Sequence, residues 1–212
     1  MLSQAASRVV GAAALMLGSF SSHAGLIVNG DFEANTVNAG SWSWLPSSQI
    51  EGWQGSNMEI WHDMNGVQAV SGQHFIELNA HGNNQGAWSI FRSFATDIGQ
   101  QYQLSFYYRA RNNINEQFEL SLGDTSWLFD DHTTQGWAHY NNYFVAENSS
   151  MTLRFTSLNQ GTMGNLLDAV QVSAVPAQQA AEVPAPAGIG AFTLGLAALM
   201  AGRRWRQPKQ QD

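Results

Sequence analysis

Tyr102-Gln103-Leu104-Ser105-Phe106-Tyr107-Tyr108 decides how the chain is read. Positions 102, 104, 106 and 108 are apolar, while Gln103 and Ser105 take the alternate side. A period of two marks a half-buried β-strand, because successive side chains leave opposite faces of an extended backbone. Downstream the pattern recurs: Phe118, Leu120 and Leu122 alternate with Glu119 and Ser121, and Met151, Leu153 and Phe155 with Thr152 and Arg154. Further strands are predicted at Leu26–Asn29, Met58–Trp61, His74–Leu78, Trp88–Phe94, Trp137–Val145 and Leu167–Val172, about nine in all. Turn-forming pairs separate them, among them Asn29-Gly30, Asn65-Gly66, Ser71-Gly72, Ile98-Gly99, Gly123-Asp124 and Gln160-Gly161. No helix-period run exceeds two turns. The pattern predicts an all-β fold, a single antiparallel sandwich over residues 25–175.

Charge is sparse and unevenly spread. The 212 residues hold 9 Lys+Arg, 16 Asp+Glu, eight Trp and no Cys. Residues 25–183 keep four bases against 15 acids, a balance of −11. A body so acidic repels nucleic acid and anionic lipid, which excludes both as main partners. The absence of Cys excludes a disulfide scaffold, a zinc-thiolate site and a thiol nucleophile.

Both ends read as addresses. Residues 1–24 form a signal peptide: Arg8 supplies the positive region, Val9 to Phe20 the apolar run, and Ser22-His23-Ala24 the small residues before a cut after Ala24. At the other end a linker with a Pro-Ala-Pro box (176–186) precedes an uncharged stretch, Ala187 to Gly202, and then Arg203-Arg204-Trp205-Arg206. As a helix this stretch spans about 24 Å, short of a ~30 Å hydrocarbon core. Snorkelling Arg203 and Arg204 shorten the gap, so residues 187–206 are expected to form a transmembrane helix with its Arg cluster in the cytoplasm.

The ordered triple of Val183-Pro184-Ala185-Pro186, hydrophobic helix and Arg203, Arg204, Arg206 resembles the PEP-CTERM sorting signal, with Ala185 where that signal usually carries Glu. The resemblance implies a Gram-negative exported protein: an inner-membrane precursor processed by an exosortase-type enzyme and delivered to the cell surface or matrix. Within the body, Leu26-Ile-Val-Asn-Gly-Asp-Phe-Glu33 and Leu166-Leu-Asp-Ala-Val-Gln-Val172 look like the terminal strands of galactose-binding-like jelly rolls, a superfold that includes many carbohydrate-binding modules. The order of Ile50-Glu-Gly-Trp53, Gly72-Gln-His-Phe-Ile-Glu-Leu78, Ser93-Phe94 and Gly99–Phe106 is similar to that of choice-of-anchor C proteins.

Two chemistries are open to these residues. Asp31 and Glu33 share a turn, and Asp168 lies in the last strand, which in jelly rolls runs near the first. Calcium takes six to eight oxygens, so carboxylates with backbone carbonyls suit it. By resemblance Glu33 and Asp168 are its expected ligands, with Asp31 a third; turn hydrogen bonds to the same carboxylates are the alternative. Sugar recognition is the second chemistry. Trp42, Trp44, Trp53, Trp61, Trp127 and Trp137, with Asn83-Asn84-Gln85, Asn112-Asn113 and Asn141-Asn142, offer aromatic faces and amides that suit a wet groove. Trp127, Tyr107 and Arg109 are the expected surface contacts, the last two because they take the polar register of their strand.

Catalysis has less behind it. Asp124, Asp130, Asp131, Glu77 and Glu119 could supply a glycosidase pair, but Gly-x-Ser-x-Gly and His-Glu-x-x-His are both absent. The expectation is an exported, tail-anchored, non-catalytic module that binds extracellular polysaccharide. A small polysaccharide-degrading enzyme and a ligand-free matrix protein are the alternatives.

Overall fold

The structure, a computed structural model, describes residues 25–81, 88–112 and 116–176. The expected signal peptide, sorting box, hydrophobic segment and Arg203, Arg204 and Arg206 lie outside these residues. The chain divides into two compact units, Met1–Val175 and Pro176–Asp212; the fold below is that of the first.

Eleven strands make up the described part: β1 (Ser41–Leu45), β2 (Gln54–Gly55), β3 (Met58–His62), β4 (His74–Glu77), β5 (Ser89–Ala95), β6 (Gln101–Ala110), β7 (Phe118–Leu122), β8 (Thr125–Phe129), β9 (Ala138–Val145), β10 (Ser150–Ser157) and β11 (Asn165–Ala174). They form a six-stranded sheet in the order β1-β3-β4-β11-β6-β9 and a five-stranded sheet in the order β2-β5-β10-β7-β8. Every pairing is antiparallel. The described residues include no α-helix, and among them no helix is long and apolar enough to cross a membrane.

The alternation that opened the sequence reading places the core. Tyr102, Leu104, Phe106 and Tyr108 of β6 are buried and face Phe118, Leu120, Leu153 and Phe155 of the other sheet. Phe106 is fully buried, and its ring lies 4.9–6.2 Å from those of Tyr108, Phe118, Phe129, Tyr140 and Phe155. Such aromatic contacts from both sheets fix their spacing as well as remove apolar area from water.

A second, smaller cluster sits on the outer face of the six-stranded sheet. Ile60 and Ile76 enter the main core, so their neighbours Trp61 and Phe75 point the other way, where Leu166 and Val67 bury them with Met64, Ala69 and Trp137. The connection 63–73 thus folds back over the middle of this face. Asn65 and Gly66 take left-handed φ of 55° and 74° at its tip, as the Asn-Gly pair foretold.

Eight of the nine expected strands are present. The exception is Leu26–Asn29, which runs as bends and turns because Asn29 and Phe32 adopt left-handed φ of 53° and 59°. It still borders β11: Leu26 N donates to Val172 O and Val170 N to Gly30 O, either side of a bulge between Asp168 and Gln171 where Ala169 has φ 52°. The sequence reading missed β1, the two-residue β2 and β8.

Candidate functional site

The outer face of the six-stranded sheet divides at the 63–73 connection. On one side is the dry cluster of Trp61, Phe75 and Leu166. On the other, the cross-strand register lays uncharged polar side chains in rows: Tyr107 beside His139, Ser105 beside Asn141 and Gln171, and Gln103 beside Tyr143 and Ser173. Tyr107 stacks on His139 with ring centroids 4.3 Å apart and planes 11° from parallel. Gln103 donates to Asn141 Oδ1 at 2.8 Å. Gln171, His139, Asn141 and Tyr143 are exposed.

This floor runs into a cleft of about 440 Å³ between the 25–31 segment and β11, lined by Asn29, Asp31, Ser71, Gln171, Ser173 and main chain. Two carboxylates hold its wall in place. Asp168 Oδ2 accepts from Val70 N at 2.6 Å and Ser71 N at 3.0 Å, and its Oδ1 accepts from Ala169 N. Glu33 Oε1 accepts from Gln73 N and His74 N, both at 2.6 Å, and its Oε2 from His74 Nδ1 at 2.7 Å. Gly72 lies between the two anchors with φ 67°, and a Cβ there would run into the Glu33 carboxylate.

The two anchors titrate in opposite directions. Burial pushes the Asp168 carboxyl up to about 7, with the charge of Asp31 adding to it and three backbone N–H bonds opposing. Burial also raises Glu33, but the N–H groups of Gln73 and His74 and the His74 ring outweigh it, so its carboxyl lies below the usual range.

Glu33 and Asp168, two of the expected calcium ligands, therefore meet three N–H donors each, while Asp31 lines the cleft. A carboxylate has about four lone-pair sites, so an ion here would share or displace those donors. As folded, both carboxylates anchor the backbone of the wall. Among the described residues no three His, Cys, Asp or Glu form a group that could hold a metal ion.

The expected sugar contacts do not come together. Tyr107 is in the floor. Arg109 shares its face, but its guanidinium donates to Thr134 O, and burial lowers its pKa. Trp127 lies apart from them, half-buried on β8 of the other sheet, where it pairs with inward-facing Leu120 of β7 and packs against the core. Trp53 and Trp61 are core residues, 3% and 1% exposed, whereas Trp42 and Trp44 stand 40% and 42% exposed on edge strand β1. Gln103, Ser105, Gln171, Ser173 and His139 had not been singled out. The alternation that turned Tyr107 outward turns Gln103 and Ser105 outward too.

The carboxylates considered for catalysis are dispersed or engaged. Glu77 is fully buried, bonded to Arg111 and Gly164 N, and burial raises it to about 8 against the pull of Arg111. Its cross-strand neighbour Glu59 accepts from Trp61 Nε1 and His81 N. Asp131 accepts from the Tyr108 hydroxyl at 3.0 Å.

A family model described as "Protein of unknown function (DUF642)" matches residues 25–173. Among solved structures, the chain is similar to a CBM4 module at 18% identity and TM-score 0.43, over 70% of this chain and 99% of that one. It is similar to the CBM22-1 xylan-binding domain of Paenibacillus barcinonensis Xyn10C at 16% and 0.38, over 69% and 92%. A family 35 carbohydrate binding module from Clostridium thermocellum gives 14% and 0.38, over 62% and 97%. No curated protein matches the chain.

Proposed function

The chain belongs to the DUF642 family, and from that premise we propose that its sandwich is a non-catalytic module that binds neutral polysaccharide on the outer face of the six-stranded sheet. The carrying observation is the uncharged floor of Gln103, Ser105, Tyr107, His139, Asn141, Gln171 and Ser173 opening into the cleft beside Ser71. Hydroxyls and amides both donate and accept, as sugar hydroxyls do, and the Tyr107–His139 stack presents an aromatic surface to a sugar's C–H face. Only a few placed polar groups are needed to orient a ligand in such a groove.

Within the same proposal, the chain is exported through residues 1–24. A PEP-CTERM-like signal at Val183-Pro184-Ala185-Pro186 and Arg203, Arg204 and Arg206 sorts it to the surface or matrix. The fold of the module is the galactose-binding-like jelly roll.

Affinity electrophoresis in gels cast with xylan or β-1,4-galactan tests the binding. Retarded migration is expected for the wild type, with Tyr107→Ala and Gln103→Ala each weakening it about five- to tenfold, the loss of one or two hydrogen-bond or stacking contacts. Migration that ignores every neutral polysaccharide overturns the reading.

Calcium at Glu33, Asp168 and Asp31 is a separable part of the proposal. With an ion held there, EDTA lowers the melting temperature and Asp168→Ala removes the effect of the chelator. A melt unchanged by EDTA leaves these carboxylates as backbone anchors alone.

A further inference from the structure

We propose that His62 and His74 form a two-histidine site for a divalent transition-metal ion such as Zn²⁺, placed at the stem of the loop that walls the cleft. The two residues are direct cross-strand partners at the ends of β3 and β4, on the core-facing register of Ile60 and Ile76. Their ring centroids are 4.9 Å apart and their planes 72° from parallel.

Each Nδ1 is already engaged. His62 Nδ1 lies 2.8 Å from Val37 O, and a carbonyl only accepts, so the proton is on that nitrogen. His74 Nδ1 lies 2.7 Å from Glu33 Oε2, a carboxylate oxygen that accepts, so the same tautomer follows. In the neutral rings this leaves the lone pair of both histidines on Nε2.

That is the outer arrangement of metal-binding histidines: one ring nitrogen donates to a carboxylate or backbone carbonyl, fixing the ring, and the other takes the metal. A second observation is independent of it. His74 is 6% exposed, and its Nε2 is buried with no hydrogen-bond partner among the described residues. A buried acceptor without a donor costs free energy, and a cation beside it removes that cost.

The spacing admits the ion. With both Nε2 lone pairs turned to one point and Zn–N near 2.1 Å, a metal lies about 3.2 Å from each ring centroid, so centroids 4.9 Å apart subtend roughly 100° at it, close to tetrahedral. No third protein carboxylate, His or Cys completes a group among the described residues, so the two imidazoles are the protein ligands of the site. Divalent copper binds such nitrogen pairs more tightly than Zn²⁺, following the usual affinity order. Because His62 precedes and His74 follows residues 63–73, the ion ties together both ends of the loop carrying Ser71.

The test is a titration of the purified full-length protein with ZnCl₂ at pH 7.5, read by calorimetry and by long-range ¹H–¹⁵N spectra of the imidazole rings. Micromolar binding of one ion is expected, with the Nε2 signals of His62 and His74 moving together. His62→Ala, at a half-buried position, is expected to lose at least tenfold in affinity while keeping the wild-type far-UV spectrum. His81→Ala, at an exposed position, is expected to change nothing. Glu33→Gln, which withdraws the carboxylate from His74, is expected to weaken binding about 10- to 100-fold. Binding as tight in His62→Ala as in the wild type, or an ion that moves neither ring signal, overturns the proposal.

Discussion

Phe106→Ala is expected to destabilise the sandwich by about 4 kcal/mol, the cost of emptying a large aromatic site that cannot collapse. The site is unusually constrained. Phe106 is fully buried, its partners Tyr108 and Tyr140 belong to the six-stranded sheet, and Phe118, Phe129 and Phe155 belong to the other. Collapse around the cavity would require the sheets to approach each other, which the remaining rings resist. For a domain of this size each kcal/mol moves the melting midpoint by roughly 2–4 °C, so a fall of about 8–16 °C is expected. Phe106→Leu keeps most of the volume and is expected to lose less than half as much. An alanine variant within about 1 kcal/mol of the wild type would mean that the aromatic cluster does not hold the sheets together.

The second large effect is expected at Asp168. Its side chain is fully buried, and its two oxygens accept backbone N–H bonds from Val70, Ser71 and Ala169. Asp168→Ala removes all three bonds and leaves the Ala169 N–H buried, at about 1 kcal/mol or more for each group, so a loss of roughly 3 kcal/mol is expected. The wall of the cleft loosens with it, so polysaccharide binding is expected to fall further than in Tyr107→Ala.

A pH signature accompanies the change. Burial holds the Asp168 carboxyl at about 7, above its ordinary value, so the folded chain binds more protons than the unfolded chain through the acid range. The stability this contributes is fully present below the ordinary carboxyl value and is lost as pH rises through about 7. Glu77, raised to about 8, acts in the same direction over a slightly higher window. The wild-type melting temperature is therefore expected to fall from pH 5 to 8.5, and Asp168→Ala to show roughly half that slope below pH 7 and the same slope above it, where Glu77 alone titrates. A wild-type midpoint that rises across this window contradicts the assignment.

Fold class was legible because Tyr102–Tyr108 alternates over its whole length and each of its faces has one job. β1 also alternates, with Trp42 and Trp44 two residues apart, but serine neighbours and nearby Pro46 made it resemble turn sequence. It is an edge strand, where one pairing partner suffices and both tryptophans stay exposed. Thr125–Phe129 lacks alternation, and only its hairpin with β7 makes it a strand.

The site was half legible. Polarity alternation put Tyr107 and Arg109 on the outer face, but only tertiary contacts reveal that Thr134 O engages Arg109 while Tyr107 is left to stack on His139. Glu33 and Asp168 are expected as ion ligands by resemblance to carbohydrate-binding modules with this opening. Apart from Ala169 N, their N–H donors come from residues 70–74, some 40 and nearly 100 positions away, and no local pattern records such partners.

The most direct test of the account is an ¹H–¹⁵N titration with an oligosaccharide that retards the protein, with every backbone and side-chain amide followed. Shifts confined to Ser71, Gln103, Ser105, Tyr107, Asn141, Gln171 and their strand neighbours are expected. Shifts centred instead on Phe91 and Arg154 of the five-stranded sheet, or on Trp42 and Trp44 alone, would contradict it.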